Sequence, residues 1–85
     1  MTRNQIIADV WQKAHPVYGY NPNFLRKDNN GYFISFFEYG KLTEKGWEID
    51  HIFPRSLGGN DHITNLQPLH WHANRVKGDR LPAFI

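Results

Sequence analysis

Trp47-Glu48-Ile49-Asp50-His51-Ile52-Phe53-Pro54 is the stretch around which the rest of the chain is arranged. Trp47, Ile49, Ile52 and Phe53 are strand formers that favour burial, and Gly46 and Pro54 bracket them. Asp50 and His51 are of another kind. A carboxylate beside an imidazole near a strand end suits a metal ligand next to a general base. The same pair also occurs as an ordinary acid–base contact on a sheet rim. Adjacent residues on a regular strand point to opposite faces. If both side chains serve one centre, a strand end, a bulge or a strong twist is required here.

Downstream, Arg55 to Thr64 is a polar loop in which Gly58-Gly59 signals a tight reversal. Asn65-Leu66 follows, and then a helix is predicted. Pro68 suits its first turn and Gly78 the position just past its end. Leu69, Ala73 and Val76 then make a narrow core stripe. His70, Asn74 and Lys77 fall at i, i+4 and i+7 on the adjacent stripe. Leu81, Pro82, Phe84 and Ile85 read as an apolar tail folded back on the body.

Upstream, Gly40 to Gly46 is a connecting loop. Residues 24–39 read as a β-hairpin: Phe24 to Lys27, a turn at Asp28-Asn29-Asn30-Gly31, and a return strand from Tyr32 to Phe37. Asn30-Gly31 is a favoured dipeptide for positive φ. Arg26 and Lys27 have two readings, a grip on a nucleic-acid backbone or protection of an edge strand. Residues 16–23 are loop, with tyrosines that either stack on bases or cover the core with the hydroxyl wet. Residues 2–14 read as a packing helix: Thr2 and Gln5 match a capping box, Ile6, Ile7, Val10, Trp11 and Ala14 make an apolar stripe, and Pro16 stops it.

The chain has 85 residues and no cysteine. A chain this short buries only roughly 60–65% of its unfolded surface and needs help from a metal, a disulfide or a partner. Disulfides and thiolate zinc sites are excluded by composition. A hydrophobic fraction of 40% with 15% aromatics argues for a folded globule rather than disorder. No apolar run approaches a membrane span and no secretory signal is expected, so the expectation is a soluble, cytoplasmic protein with no membrane partner. The net charge of +2 permits nucleic-acid binding without demanding it. Residues 1–45 carry six Lys/Arg against four Asp/Glu, and residues 46–85 four against four, so the excess lies outside the Asp50-His51 region.

Taken together, Asp50-His51, Pro54, Gly58-Gly59, Asn65-Leu66-Gln67-Pro68-Leu69, Asn74 and Lys77-Gly78-Asp79 resemble the motif of the HNH nucleases. The resemblance runs from Trp47 to Asp79, roughly the C-terminal two-fifths of the chain, and the name-giving positions fall on His51, Asn65 and Asn74. Phe24 to Gly46 is also similar to small stand-alone members.

The resemblance implies an α+β fold with a ββα-metal core, here with an additional N-terminal helix and β-hairpin. It implies a single domain over residues 1–85, its motif core at about 46–79. It implies that Asp50 and Asn74 hold one divalent metal ion, that His51 is the general base, and that Asn65 fixes the loop and so the catalytic orientation of His51. Many relatives carry zinc-binding cysteines where this chain has His70 and Ala73, so no structural zinc is expected. His70 has two readings, an auxiliary site residue or a structural one.

Elementary chemistry agrees with these roles. Oxygen ligands suit Mg²⁺ or Mn²⁺. One such cation polarises a phosphate and stabilises the departing oxygen. An unperturbed imidazole is largely neutral near pH 7 and accepts a proton. Lys77 can face a phosphate as a point charge, and Arg75 and Arg55 are further candidates for contact with nucleic acid.

The expected activity is metal-dependent endonucleolytic hydrolysis of DNA, nicking as a monomer, with RNA not separated from DNA by the sequence. Double-strand cuts need a dimer or a second event, and a protein partner or a homodimer is the further partner expected besides nucleic acid. The alternative is a catalytically weak or silent nucleic-acid-binding module acting with a partner protein. A further one is a purely structural domain in which Asp50 and His51 are a buried pair.

Overall fold

A computed structural model describes residues 1–81. The expected apolar tail therefore falls, from Pro82 onward, outside the described residues, and Leu81 is exposed. The architecture is α+β, with two helices and two small antiparallel sheets.

Helix α1 spans Arg3–Trp11. Thr2 caps it as predicted: its Oγ1 accepts from the Gln5 N–H, and Gln5 Oε1 accepts from the Thr2 N–H at 2.7 Å. The helix ends earlier than Pro16 alone requires. Lys13 and Ala14 close the last turn with N–H bonds to Val10 and Trp11 three residues back, and His15–Pro16 leave as strand β1.

Strands β2 (Leu25–Lys27) and β3 (Phe33–Ser35) form the predicted hairpin, and β1 pairs on the other side of β2. This order removes the edge-strand reading of Arg26 and Lys27, because β2 is the central strand. The hairpin turn is built on Asp28. Its Oδ1 accepts from the N–H groups of Asn30 and Tyr32, and only Gly31 takes a positive φ, +85°. The return strand stops at Ser35 and passes into a 3-10 turn at Phe36–Glu38. This seats Phe36 edge-on against Trp11 at 5.5 Å.

The core gathers Val10, Trp11, Ala14, Ile34, Trp47 and Leu66. Trp11 and Trp47 meet at 5.4 Å, so α1 is packed directly over the strand that carries Asp50 and His51. Burying each large side chain contributes about 1.5–3 kcal/mol, and here that burial holds the N-terminal half against the C-terminal half.

Strands β4 (Trp47–His51) and β5 (Leu66–His70) pair antiparallel, with Asp50 opposite Gln67 and His51 opposite Leu66. Helix α2 follows at once over Trp71–Lys77. The predicted helix start at Pro68 is therefore corrected. Pro68 lies inside β5, opposite Ile49; among the described residues β5 pairs only with β4, and such an edge strand tolerates a missing N–H. All five residues of β5 are buried. Its run of apolar and polar residues is covered on both faces and follows neither the strand nor the helix period.

The core stripe of Leu69, Ala73 and Val76 dissolves accordingly: Leu69 is a buried strand residue, Ala73 is buried on α2, and Val76 is exposed. The loop from β4 to β5 needs its glycine. A Cβ on Gly59 would lie 1.8 Å from the Phe53 carbonyl oxygen.

Candidate active site

Strand β4 ends at His51, which meets the requirement set by two adjacent chemical side chains. Beyond that end, Asp50, His51, Arg55, Asn74, Lys77 and Asp79 line one cleft between β4, the following loop and the end of α2. Of the residues in the sequence prediction, this cleft gathers both Asp50 and His51, together with Asn74, Lys77 and Arg55. Asn65, His70, Arg26, Lys27 and Arg75 lie outside its lining.

Asp50 is buried, at 6% exposure, and both carboxylate oxygens are engaged. Oδ2 accepts from Gln67 Nε2 at 2.8 Å, and Oδ1 faces Lys77 Nζ at 3.2 Å. Lys77 also donates to the His51 carbonyl oxygen at 3.0 Å. A buried carboxylate needs such partners, since an unpaired one is strongly disfavoured. The structure thus places Lys77 on Asp50, where the sequence suggested a phosphate.

The His51 ring donates from Nε2 to Asp61 Oδ1 at 2.7 Å. An ionised carboxylate only accepts, so Nε2 carries a proton, and in the neutral ring the lone pair is on Nδ1. The hydrogen bond from His51, together with the charge of Arg55, holds the Asp61 carboxyl below the ordinary value of an aspartate. Nothing in the sequence singled out Asp61, which follows Gly58-Gly59 in a loop without periodicity.

Asn74 donates Nδ2 to Glu48 Oε1 at 2.9 Å, and Glu48 Oε2 accepts from Arg75 at 2.9 Å. Burial pushes the Glu48 carboxyl up. The hydrogen bonds from Arg75 and Asn74 and the charge of Arg75 outweigh that and leave it below the ordinary glutamate value. Glu48 thereby settles which way the Asn74 amide points. With Nδ2 turned to Glu48, the carbonyl oxygen is the atom left for a ligand. Glu48 lies two residues before Asp50, on the same face of β4, and that period was the signal available for it.

Asn65 stitches the loop rather than touching the cleft. Its Oδ1 accepts from the Phe53 N–H at 2.8 Å, and its Nδ2 donates to the carbonyls of Asn60 and Phe53 at 2.8 and 3.1 Å. The loop so closed carries both Asp61 and the exit from His51. Asn65→Ala removes all three bonds, which are solvent-exposed, and a typical bond contributes about 0.5–1.5 kcal/mol net. The expected outcome is a lower melting temperature and a reduced turnover with the substrate KM little changed, read by thermal denaturation and steady-state kinetics.

His70 is the N-cap of α2. Its Nδ1 accepts from the His72 N–H at 3.0 Å, so its Nε2 donates to the Glu44 carbonyl at 2.8 Å. Both ring nitrogens are used, and the auxiliary-site reading gives way to the structural one. Arg26 is buried, with its guanidinium on the carbonyls of Pro22, Gln12 and Ala14, so it is not a backbone grip. Lys27 places its ammonium over the Phe33 ring at 4.9 Å. Arg55 and Arg75 are exposed beside the cleft.

No group of three or more His, Asp or Glu assembles a metal cage among the described residues. No helix among them is long and apolar enough to cross a membrane. A family model described as HNH endonuclease matches residues 37–83, slightly more than half of the chain. No curated protein and no solved structure matches the chain.

Proposed function

The chain belongs to the HNH endonuclease family, and from that membership and the cleft we propose that it hydrolyses phosphodiester bonds of DNA with one bound divalent ion and His51 as general base. The family indicates nuclease activity, DNA as its substrate and, in general, use of a divalent metal. The observation that carries the finer reading is the convergence of Asp50, His51 and Asn74 on one cleft at the end of β4.

The donor set fits a hard cation. Asp50 supplies a carboxylate oxygen, and Asn74, turned by Glu48, supplies a carbonyl oxygen. Two protein oxygens suit Mg²⁺ or Mn²⁺, which keep several waters and accept phosphate oxygens. When bound, the ion neutralises the phosphate and stabilises the departing oxygen.

The chain's own residues do the rest. His51 takes the proton of the attacking water at Nδ1, while Asp61 holds the Nε2–H and so keeps that lone pair available. Asn65 holds the loop that carries Asp61. Lys77 competes with a cation for Asp50 Oδ1; displaced from it, its flexible stem can carry the ammonium to a phosphate. Arg55 and Arg75 are placed beside the cleft to meet the nucleic-acid backbone.

In this reading residues 1–85 act as one nuclease unit built on a ββα-metal core of β4, β5 and α2, working in the cytoplasm. One such site cuts one strand, so a single copy nicks. Paired cuts require a second copy, a partner protein or a second event. The test is the conversion of supercoiled plasmid to open circles with Mg²⁺ or Mn²⁺ and with EDTA. Metal-dependent nicking abolished by EDTA is expected. Nicking that survives EDTA would overturn the metal assignment, and salt-sensitive DNA binding without nicking would favour the silent binding module.

A further inference from the structure

Three side-chain hydrogen bonds run in one direction from the N-terminal sheet to Asp50. His15 Nε2 lies 2.6 Å from Asn29 Oδ1, Asn29 Nδ2 donates to Gln67 Oε1 at 2.9 Å, and Gln67 Nε2 donates to Asp50 Oδ2 at 2.8 Å. Because Asn29 spends its amide on Gln67, its carbonyl oxygen accepts, and His15 is the donor. Each amide therefore fixes the orientation of the next. The chain ends on a buried carboxylate, where polarisation along a hydrogen-bonded series is strongest.

The alternative orientation of Gln67 would turn its carbonyl oxygen toward the Asp50 carboxylate, acceptor against acceptor. Gln67 is itself buried, at 5% exposure, and has little water to correct the error. The acceptor-only carboxylate opposes that flip, and Asn29, donating to Gln67 Oε1, holds the other end of the amide in the same orientation. The neighbouring residue fastens the same turn to the other end of the site. Asp28 Oδ2 accepts from the His70 N–H at 2.9 Å, at the junction of β5 with α2, the helix that carries Asn74 and Lys77.

We propose that Asn29 and Gln67 are positioning residues of the metal site: Asn29, on the turn between β2 and β3, sets the amide of Gln67, and Gln67 holds Asp50 Oδ2 so that Oδ1 is presented to the ion. The inference rests on Asp50 as a metal ligand. Asn29 precedes residue 37, where the match to the family begins, so this turn ties the N-terminal hairpin to the chemistry rather than to packing alone. Partners that orient a metal ligand typically contribute 10–100-fold in metal affinity.

The experiment is Mn²⁺ titration of the folded protein by electron paramagnetic resonance, with folding checked by circular dichroism. It compares wild type with Asn29→Ala, Gln67→Met, the double variant and Asp50→Asn. Gln67→Met is expected to weaken Mn²⁺ binding about tenfold, and Asn29→Ala several-fold. The double variant should bind like Gln67→Met alone, because Asn29 acts through Gln67. A purely structural role would instead lower the melting temperature and leave the Mn²⁺ affinity unchanged.

If both single variants bind like wild type while Asp50→Asn does not bind, the positioning role is wrong and the metal assignment stands. If the loss from Asn29→Ala appears in full in the Gln67→Met background, the route through Gln67 is wrong. If wild type does not bind, or Asp50→Asn binds equally, the metal assignment itself fails and the positioning role falls with it.

Discussion

Supercoiled DNA incubated with His51→Ala and Mg²⁺ is expected to stay supercoiled, with cleavage about 10²–10⁴-fold below wild type, the usual contribution of a positioned general base. The same variant should melt close to wild type. The ring is about a quarter exposed at 24%, and among the described residues its only side-chain hydrogen bond goes to the largely exposed Asp61 carboxylate. Loss of such a contact leaves no buried group unpaired, so the activity effect and the stability effect separate. The Lys77 bond to the His51 backbone carbonyl survives truncation of the ring. The measurement is nicking kinetics beside a thermal melt. A His51→Ala protein that nicks as fast as wild type would remove His51 as the base. One that unfolds would support the structural reading of the Asp50–His51 pair.

Asp50→Asn is expected to behave differently, failing on both counts. Its carboxylate is 6% exposed and carries the charge that matches Lys77, whose side chain is 11% exposed. Removing one partner of a buried ion pair costs about 3–5 kcal/mol when the remaining charge is fully enclosed. Lys77 sits on the last residue of α2 and has a flexible stem that can carry its ammonium to water. The expected loss is therefore smaller than that range, and Gln67 can still donate to the new amide's oxygen. Activity should fall by about 10³-fold, since the ion that neutralises the phosphate supplies several kcal/mol to the transition state. Mn²⁺ titration and a melt on the same sample check both. Full activity in a folded Asp50→Asn protein would rule out its role as a ligand.

Contrasting these variants separates chemistry from architecture within two adjacent residues. Asp50 faces inward, toward β5 and α2, where its partners are buried. His51 ends the strand and turns its ring toward the loop. The strand terminus lets both border one cleft without a bulge, because the alternation of side chains no longer binds the residue at the end.

Some of this was legible in the residues themselves. The Thr2–Gln5 capping box, the turn that ends in Gly31, and the need for glycine at position 59 are local, and local sequence carries them. The spacing of His51, Asn65 and Asn74 was enough to identify the family, because chemistry at a phosphodiester constrains residue type at each of those positions.

What the chain in isolation could not reveal depends on distant neighbours. Leu66 to His70 has a proline near a helix start and no clear period, so a helix was the reasonable expectation. Pairing with Trp47–His51 across the intervening loop decided for a strand. Arg26 looked like a surface cation until the carbonyls of Gln12 and Ala14, at the exit of α1, and of Pro22 closed around it. None of Asp61, Glu48, Gln67 and Asn29 announces its partner in the sequence. Each matters for one hydrogen bond to a residue 10 to 38 positions away. Residue type and spacing pointed to the groups proposed for the chemistry. Only the tertiary structure decided which groups aim them, because a hydrogen bond is set by position in space, which local propensity does not encode.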